Sequence, residues 1–183
     1  MKVLIKGGLI GGVIAFIWMN ISWMVLPWHM MTINTVPDET QIVQSIQADV
    51  PESGLYILPW TDDHSEENME VFNQRMESGP FVYMVVHPNG MKVNMGTMML
   101  YGFLYNVVIA FMLTYLLTKT TGLSYIQKVG FIKMVAVTGA LVVVVPNLIW
   151  WHFPIGFTVV TVIDTAFTWG FAGLAIGKIV KTD

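Results

Sequence analysis

Cysteine is absent from all 183 residues. That excludes disulfides, thiolate metal centres and thiol redox chemistry, and with them the quinone-linked disulfide enzymes that are also built on four membrane helices. Charge is nearly as scarce. Charged residues make up 11% of the chain against 55% hydrophobic, too apolar a balance for a soluble domain of this size. No phosphate-binding glycine loop, zincin motif or nucleophile elbow occurs. No internal repeat signals a duplicated transporter half. The long apolar runs carry one carboxylate, Asp164, so aspartyl hydrolysis within the membrane, which needs two, is excluded.

What is abundant is segregated. Apolar runs at about 7–26, 97–117, 130–150 and 155–180 each reach the roughly 20 residues that cross a ~30 Å hydrocarbon core. The fold class expected is therefore a membrane all-α protein, a four-transmembrane-helix bundle. Its domains are a first transmembrane helix over 1–27, a periplasmic α+β cap over 28–96, and three further helices within 97–183. The first run follows Lys2 and Lys6 but ends in "SWMVLPWH" without a small-x-small cleavage site, and reads as a retained anchor. Lys2, Lys6, Lys119, Lys128, Lys133, Lys178 and Lys181 flank one set of helix ends. The positive-inside rule then puts both termini in the cytoplasm of a bacterial inner membrane and residues 28–96 in the periplasm. That segment carries ten acidic residues against Arg75 and Lys92, which argues against nucleic acid or anionic headgroups as its partner.

Within the outer segment, Thr35 before Pro37, Asp38 and Glu39 reads as a helix start, with Ile42, Val43, Ile46 and Val50 at helical spacing until Pro51. Residues 54–58 read as a strand, and Ser65 opens a second helix that Gly79-Pro80 ends. Residues 81–87 read as a strand that turns at Pro88-Asn89-Gly90 into a hairpin with 91–94.

The candidate site is a polar layer. Asn20, Asn106, Asn147 and Asp164 supply one amide or acid per membrane helix, at depths of roughly 10–15 Å below the outer surface. Thr161, Thr165 and Thr168 share the Asp164 side of the last helix; small residues line the facing stripes. Asp164 is therefore expected to point inward, toward the asparagines. His152 is its titratable neighbour by depth, about two helical turns away, with Trp151 beside it. The layer has two readings, hydrogen-bonded packing glue or a pocket for a proton, cation, lipid or small polar ligand.

Other features are weighed more simply. Trp23, Trp28, Trp150 and Trp151, with His29 and His152, read as an aromatic belt at the outer interface, while Trp18 and Trp169 lie deeper. His29 and His87, with Met30, Met31, Met91 and Met95, have the donor chemistry of a soft-metal site, yet methionine fills apolar cores without any metal, and the metal question stays open. "TDDHSEE" at 61–67 lacks the spacing of a calcium loop. Gly7, Gly8, Gly11 and Gly12, and Gly170, Gly173 and Gly177, are close-packing signals, within the bundle or between copies.

The stretches "GGLIGGVIAFIWMNISWMVLPWH", "SGLYILP" and "PNLIWWHFPIGFTVVTVIDTAFTWGFAGLAIGKIV" resemble a family of uncharacterised small bacterial four-helix inner-membrane proteins. The resemblance implies topology and a bacterial origin, and no activity or site residue. Taken together, the sequence leads to a non-enzymatic structural or accessory subunit without a cofactor. Its partners are the bilayer and other membrane subunits or itself, docked through the outer domain. The alternative is a binding or transport protein with a pocket at Asp164, and a weaker one a lipid-modifying or quinone-linked enzyme.

Overall fold

The computed structural model describes residues 1–181; Thr182 and Asp183, and with them the expectation for the C-terminal end itself, lie outside the described residues. Six helices and two strands follow in the order α1 (Lys2–Met24), α2 (Thr40–Asp49), β1 (Gly54–Leu58), α3 (Glu66–Ser78), β2 (Val82–Val86), α4 (Met95–Leu117), α5 (Tyr125–Trp150) and α6 (Ile155–Ile179). Four of them, α1, α4, α5 and α6, are long and apolar enough to cross a membrane. The chain divides into two compact units, one of residues 1–34 and 94–181 and one of Thr35–Val93. Residues 28–34 belong to the first of these compact units, where His29 meets Ser22 and Asp164.

In the first unit α1 packs on α4 and on α6, and α6 packs on α5, while α4 and α5 scarcely meet. Glycine makes these contacts possible. A methyl group at Gly12 would lie 2.6 Å from the Val107 backbone of α4, and one at Gly11 would meet Ile176 of α6 at 2.7 Å. Gly173 and Gly177 likewise face Ile132 and Tyr125 of α5. The glycines therefore serve contacts inside one chain. The core they surround contains Ala15, Ala110, Leu113, Leu117, Ile132, Trp169, Ala172 and Ile176. Ends are capped locally: Asn94 accepts the Thr97 N–H, Ser124 and Gln127 form a capping box, and Lys128 Nζ donates to the Val180 carbonyl at 2.8 Å.

Pro27 ends α1, since it has no N–H to continue the ladder. The chain then turns tightly: Met31 N–H bonds the Pro27 carbonyl, Thr32 Oγ1 donates to the His29 carbonyl at 2.7 Å, and residues 30–32 form one 3₁₀ turn. That turn buries His29.

In the second unit β1 and β2 pair antiparallel, from Gly54 opposite Val86 to Leu58 opposite Val82. Residues 91–94 form no strand, so the expected hairpin is absent and β2 takes β1 as its partner. Val93 and Asn94 lead directly into α4, where the Asn94 cap fixes the chain direction. The first short helix starts at Thr40 rather than near Thr35, where Asp38 Oδ1 accepts the Thr40 N–H. Gly79 ends α3 at a φ of 68°, a left-handed conformation that suits glycine.

Candidate functional site

Asp164 lies on the tenth residue of α6 and is 8% exposed. Each of its carboxylate oxygens meets a nitrogen. Trp18 Nε1–H, from α1, donates to Oδ1 at 2.8 Å. His29 Nε2, from the turn after α1, lies 3.1 Å from Oδ2. The end of α1 and the turn after it therefore converge on a carboxylate far away in sequence, and the Asp164–His29 pair spans 135 positions.

The second layer of contacts explains how His29 is held. Its Nε2 is also 3.1 Å from Ser22 Oγ, and Trp28 Nε1–H donates to that same hydroxyl at 3.0 Å and to the Ser22 carbonyl at 3.2 Å. Trp23 stacks flat on the imidazole, with 3.9 Å between centroids and 8° between planes, and Trp28 meets it edge-on. Ser22 and Trp18 sit four residues apart on one face of α1, so one helical stripe supplies both the indole for Asp164 and the hydroxyl for His29. An ionised carboxylate oxygen can only accept, so the hydrogen bond at Oδ2 assigns the Nε2 proton to the Asp164 contact.

A serine, a histidine and an aspartate this close invite comparison with a nucleophilic triad, and the geometry excludes it. In a triad the two oxygens engage opposite ring nitrogens, so that the ring can take the hydroxyl proton while the acid holds its other side. Here Ser22 and Asp164 share Nε2. Nδ1 is buried and has no hydrogen-bond partner among the described residues, and the same holds for Asn106 Oδ1.

The residues expected to share a layer with Asp164 are engaged elsewhere. Asn20 donates to the Phe16 carbonyl at 2.7 Å, and Asn106 to the Gly102 carbonyl at 2.7 Å, with the Met19 sulfur 3.8 Å away. Thr161, Thr165 and Thr168 donate to the carbonyls of Phe157, Thr161 and Asp164. All are bonds to the preceding turn of their own helix, a partner always within reach of a short polar side chain. Asn147 is half-buried one residue after Pro146, and its carbonyl accepts from Trp151 and Phe153 N–H. The imidazole at hydrogen-bond distance from Asp164 is that of His29; His152 lies exposed in the α5–α6 turn, at a φ of 53°, beside half-buried Trp151. Among the described residues no group of three or more His, Asp or Glu side chains is placed to hold a metal ion. His87 turns its Nδ1 to Ser53 Oγ at 3.1 Å.

Trp28 and His29 are the members that sequence reasoning left in the interfacial belt, Trp18 one it placed deeper without a partner, and Ser22 one it passed over. The available signal was Pro27, two residues before His29 and five after Ser22: a forced turn there returns the histidine to the helix it has just left. No family model matches the chain, and no curated protein or solved structure is detectably similar to it. Function rests on the site alone.

Proposed function

We propose that this chain is a non-enzymatic structural or accessory protein of the bacterial inner membrane, with cytoplasmic ends and with residues 28–96 in the periplasm as a docking domain for other subunits. The observation that supports it is the use of Asp164. A carboxylate in a membrane helix is costly and by default suggests a functional pocket. Here each oxygen faces an internal N–H donor, and the residue fastens α6 to α1 and to the 25–32 turn. The lysine distribution supports the orientation. The alternative, a binding site beside Asp164, draws its support from the unpartnered buried atoms His29 Nδ1 and Asn106 Oδ1.

Two measurements test the reading. A reporter active only in the cytoplasm is expected to work when fused after Asp183 and to be silent when inserted near Asp63; the reverse pattern overturns the orientation. Purified from native membranes, the chain is expected to carry a stoichiometric protein partner that crosslinks to residues 35–93. A chain that purifies alone, with a small molecule held at Asp164, contradicts the accessory role.

A further inference from the structure

We propose that His29 is a proton-binding site, taking one proton from water at Nδ1 and thereby converting its hydrogen bond with Asp164 into an ion pair that tightens the hold of the 25–32 turn on α6. The inference rests on the reading of Asp164 as an internal fastening. It deepens that reading by making the fastening responsive to pH.

Three features of the site point to a proton. The ring presents Nε2 to the carboxylate at 3.1 Å, so a positive charge on the imidazole has its counter-ion in place. Trp23 lies flat against the ring, and the indole face is the side-chain surface most attractive to a cation. Among the described residues Nδ1 has no hydrogen-bond partner although His29 is 2% exposed, so its lone pair is the basic position still open on the ring. A neutral histidine held only for packing has no use for a counter-ion, a cation-binding face and a spare basic nitrogen at once.

The chemistry is simple. A hydronium ion reaching Nδ1 gives up a proton and leaves as water; the Nε2 proton stays between the ring and Asp164 Oδ2, and raising the pH returns the Nδ1 proton to water. The ring sits in a turn whose neighbours Met30 and Met31 are exposed, so water reaches it by displacement of a turn and not of a helix. The groups facing the pair are few. Asp164 comes from α6, and Tyr105 of α4 is the other titratable side chain within electrostatic reach of it. From α1 and the turn come Trp18, Ser22, Trp23 and Trp28, which do not titrate in this range. On α5, Lys133 lies beside Gly170, six residues and so about 9 Å further along α6.

The test uses the full chain in lipid nanodiscs with ¹⁵N-labelled histidine, followed by NMR from about pH 5 to 9, a range that brackets an ordinary imidazole. Four histidines are present, and His29 is the signal lost in His29→Gln. At the top of the range it is expected to carry its proton on Nε2 and none on Nδ1, and to take up one proton at Nδ1 as the pH falls. Asp164→Asn, which removes the anion beside the ring, is expected to displace that step to lower pH and to leave His64, His87 and His152 where they were. A ring protonated on Nδ1 at high pH, a His29 that takes up no proton across the range, or a step untouched by Asp164→Asn would each overturn the proposal. The tautomer of the wild-type ring and its proton uptake together decide the matter even where the variant fails to fold. Loss of energetic coupling between His29 and Asp164 defeats the fastening itself, whereas coupling without proton uptake defeats only the proton site.

Discussion

At the scale of single residues, the two-sided engagement of Asp164 changes what a conservative substitution does. Asparagine keeps the shape but offers one acceptor and one NH₂ group. Whichever way the amide points, it sets a donor against either the Trp18 N–H or the His29 Nε2–H. Asp164→Asn is therefore expected to cost about 1–3 kcal/mol, the usual penalty for a buried group left unsatisfied. Trp18→Phe removes one of the competing donors, so it is expected to cost less in the Asp164→Asn background than in the wild type, measured by reversible denaturation in detergent or bicelles. Equal losses in both backgrounds would show that the indole does not donate to the carboxylate. The importance of Asp164 was visible in the sequence, because a lone acid in an apolar run has to be accommodated somehow. Its partners were not, because depth counted along helices cannot register a chain that turns back: His29 looks interfacial by position and is buried by the turn at Pro27.

At the scale of elements, the helix contacts are set by missing side chains. Gly12→Ala brings a methyl group within 2.6 Å of the Val107 backbone, which has no rotamer by which to yield. The expected result is a loss of about 1–3 kcal/mol in stability, typical of overpacking, with no change in oligomeric mass. Gly139→Ala on α5, where nothing lies within 4 Å, is expected to be neutral or mildly stabilising, and equal effects at the two sites would contradict the assigned packing. In the second unit, Asp63 prepares the start of α3. Its carboxyl is held below the usual range first by the backbone N–H of Ser65 and then by that residue's hydroxyl, by Asn68 and by the charge of His64. A depressed folded pKa contributes stability that is full above the unfolded value and is lost as pH falls through the folded one. The amides of residues 66–68 are thus expected to lose their helical chemical shifts as the pH drops below about 4, and Asp63→Asn to flatten that dependence. Apolar run length made α1 and the three later long helices readable from sequence, and the Ser65 and Gly79-Pro80 signals did the same for α3. The hairpin was misplaced because Pro-Asn-Gly marks a turn without saying which strand follows it; β2 found its partner 28 residues back, and residues 91–94 were drawn into the entry of α4.

At the scale of the whole molecule, the membrane-length helices form a row, α4 to α1 to α6 to α5, in which α1 and α6 are the central pair. The outer helices α4 and α5 touch only slightly, so the α1–α6 seam carries most of the arrangement, and the Trp18–Asp164–His29 cluster lies on that seam. The four-helix composition follows from hydropathy alone, whereas the order of the row depends on glycine contacts that no periodicity reveals. The most direct test of the fastening is a double-mutant cycle between His29→Ala and Asp164→Ala in lipid, read as unfolding free energy. If the two side chains bind one another, the double variant is expected to lose less than the sum of the single losses, by about 1 kcal/mol or more, above the ~0.6 kcal/mol average for polar contacts between membrane helices. Single losses that add to within about 0.3–0.5 kcal/mol would contradict the claim that Asp164 is spent on holding His29.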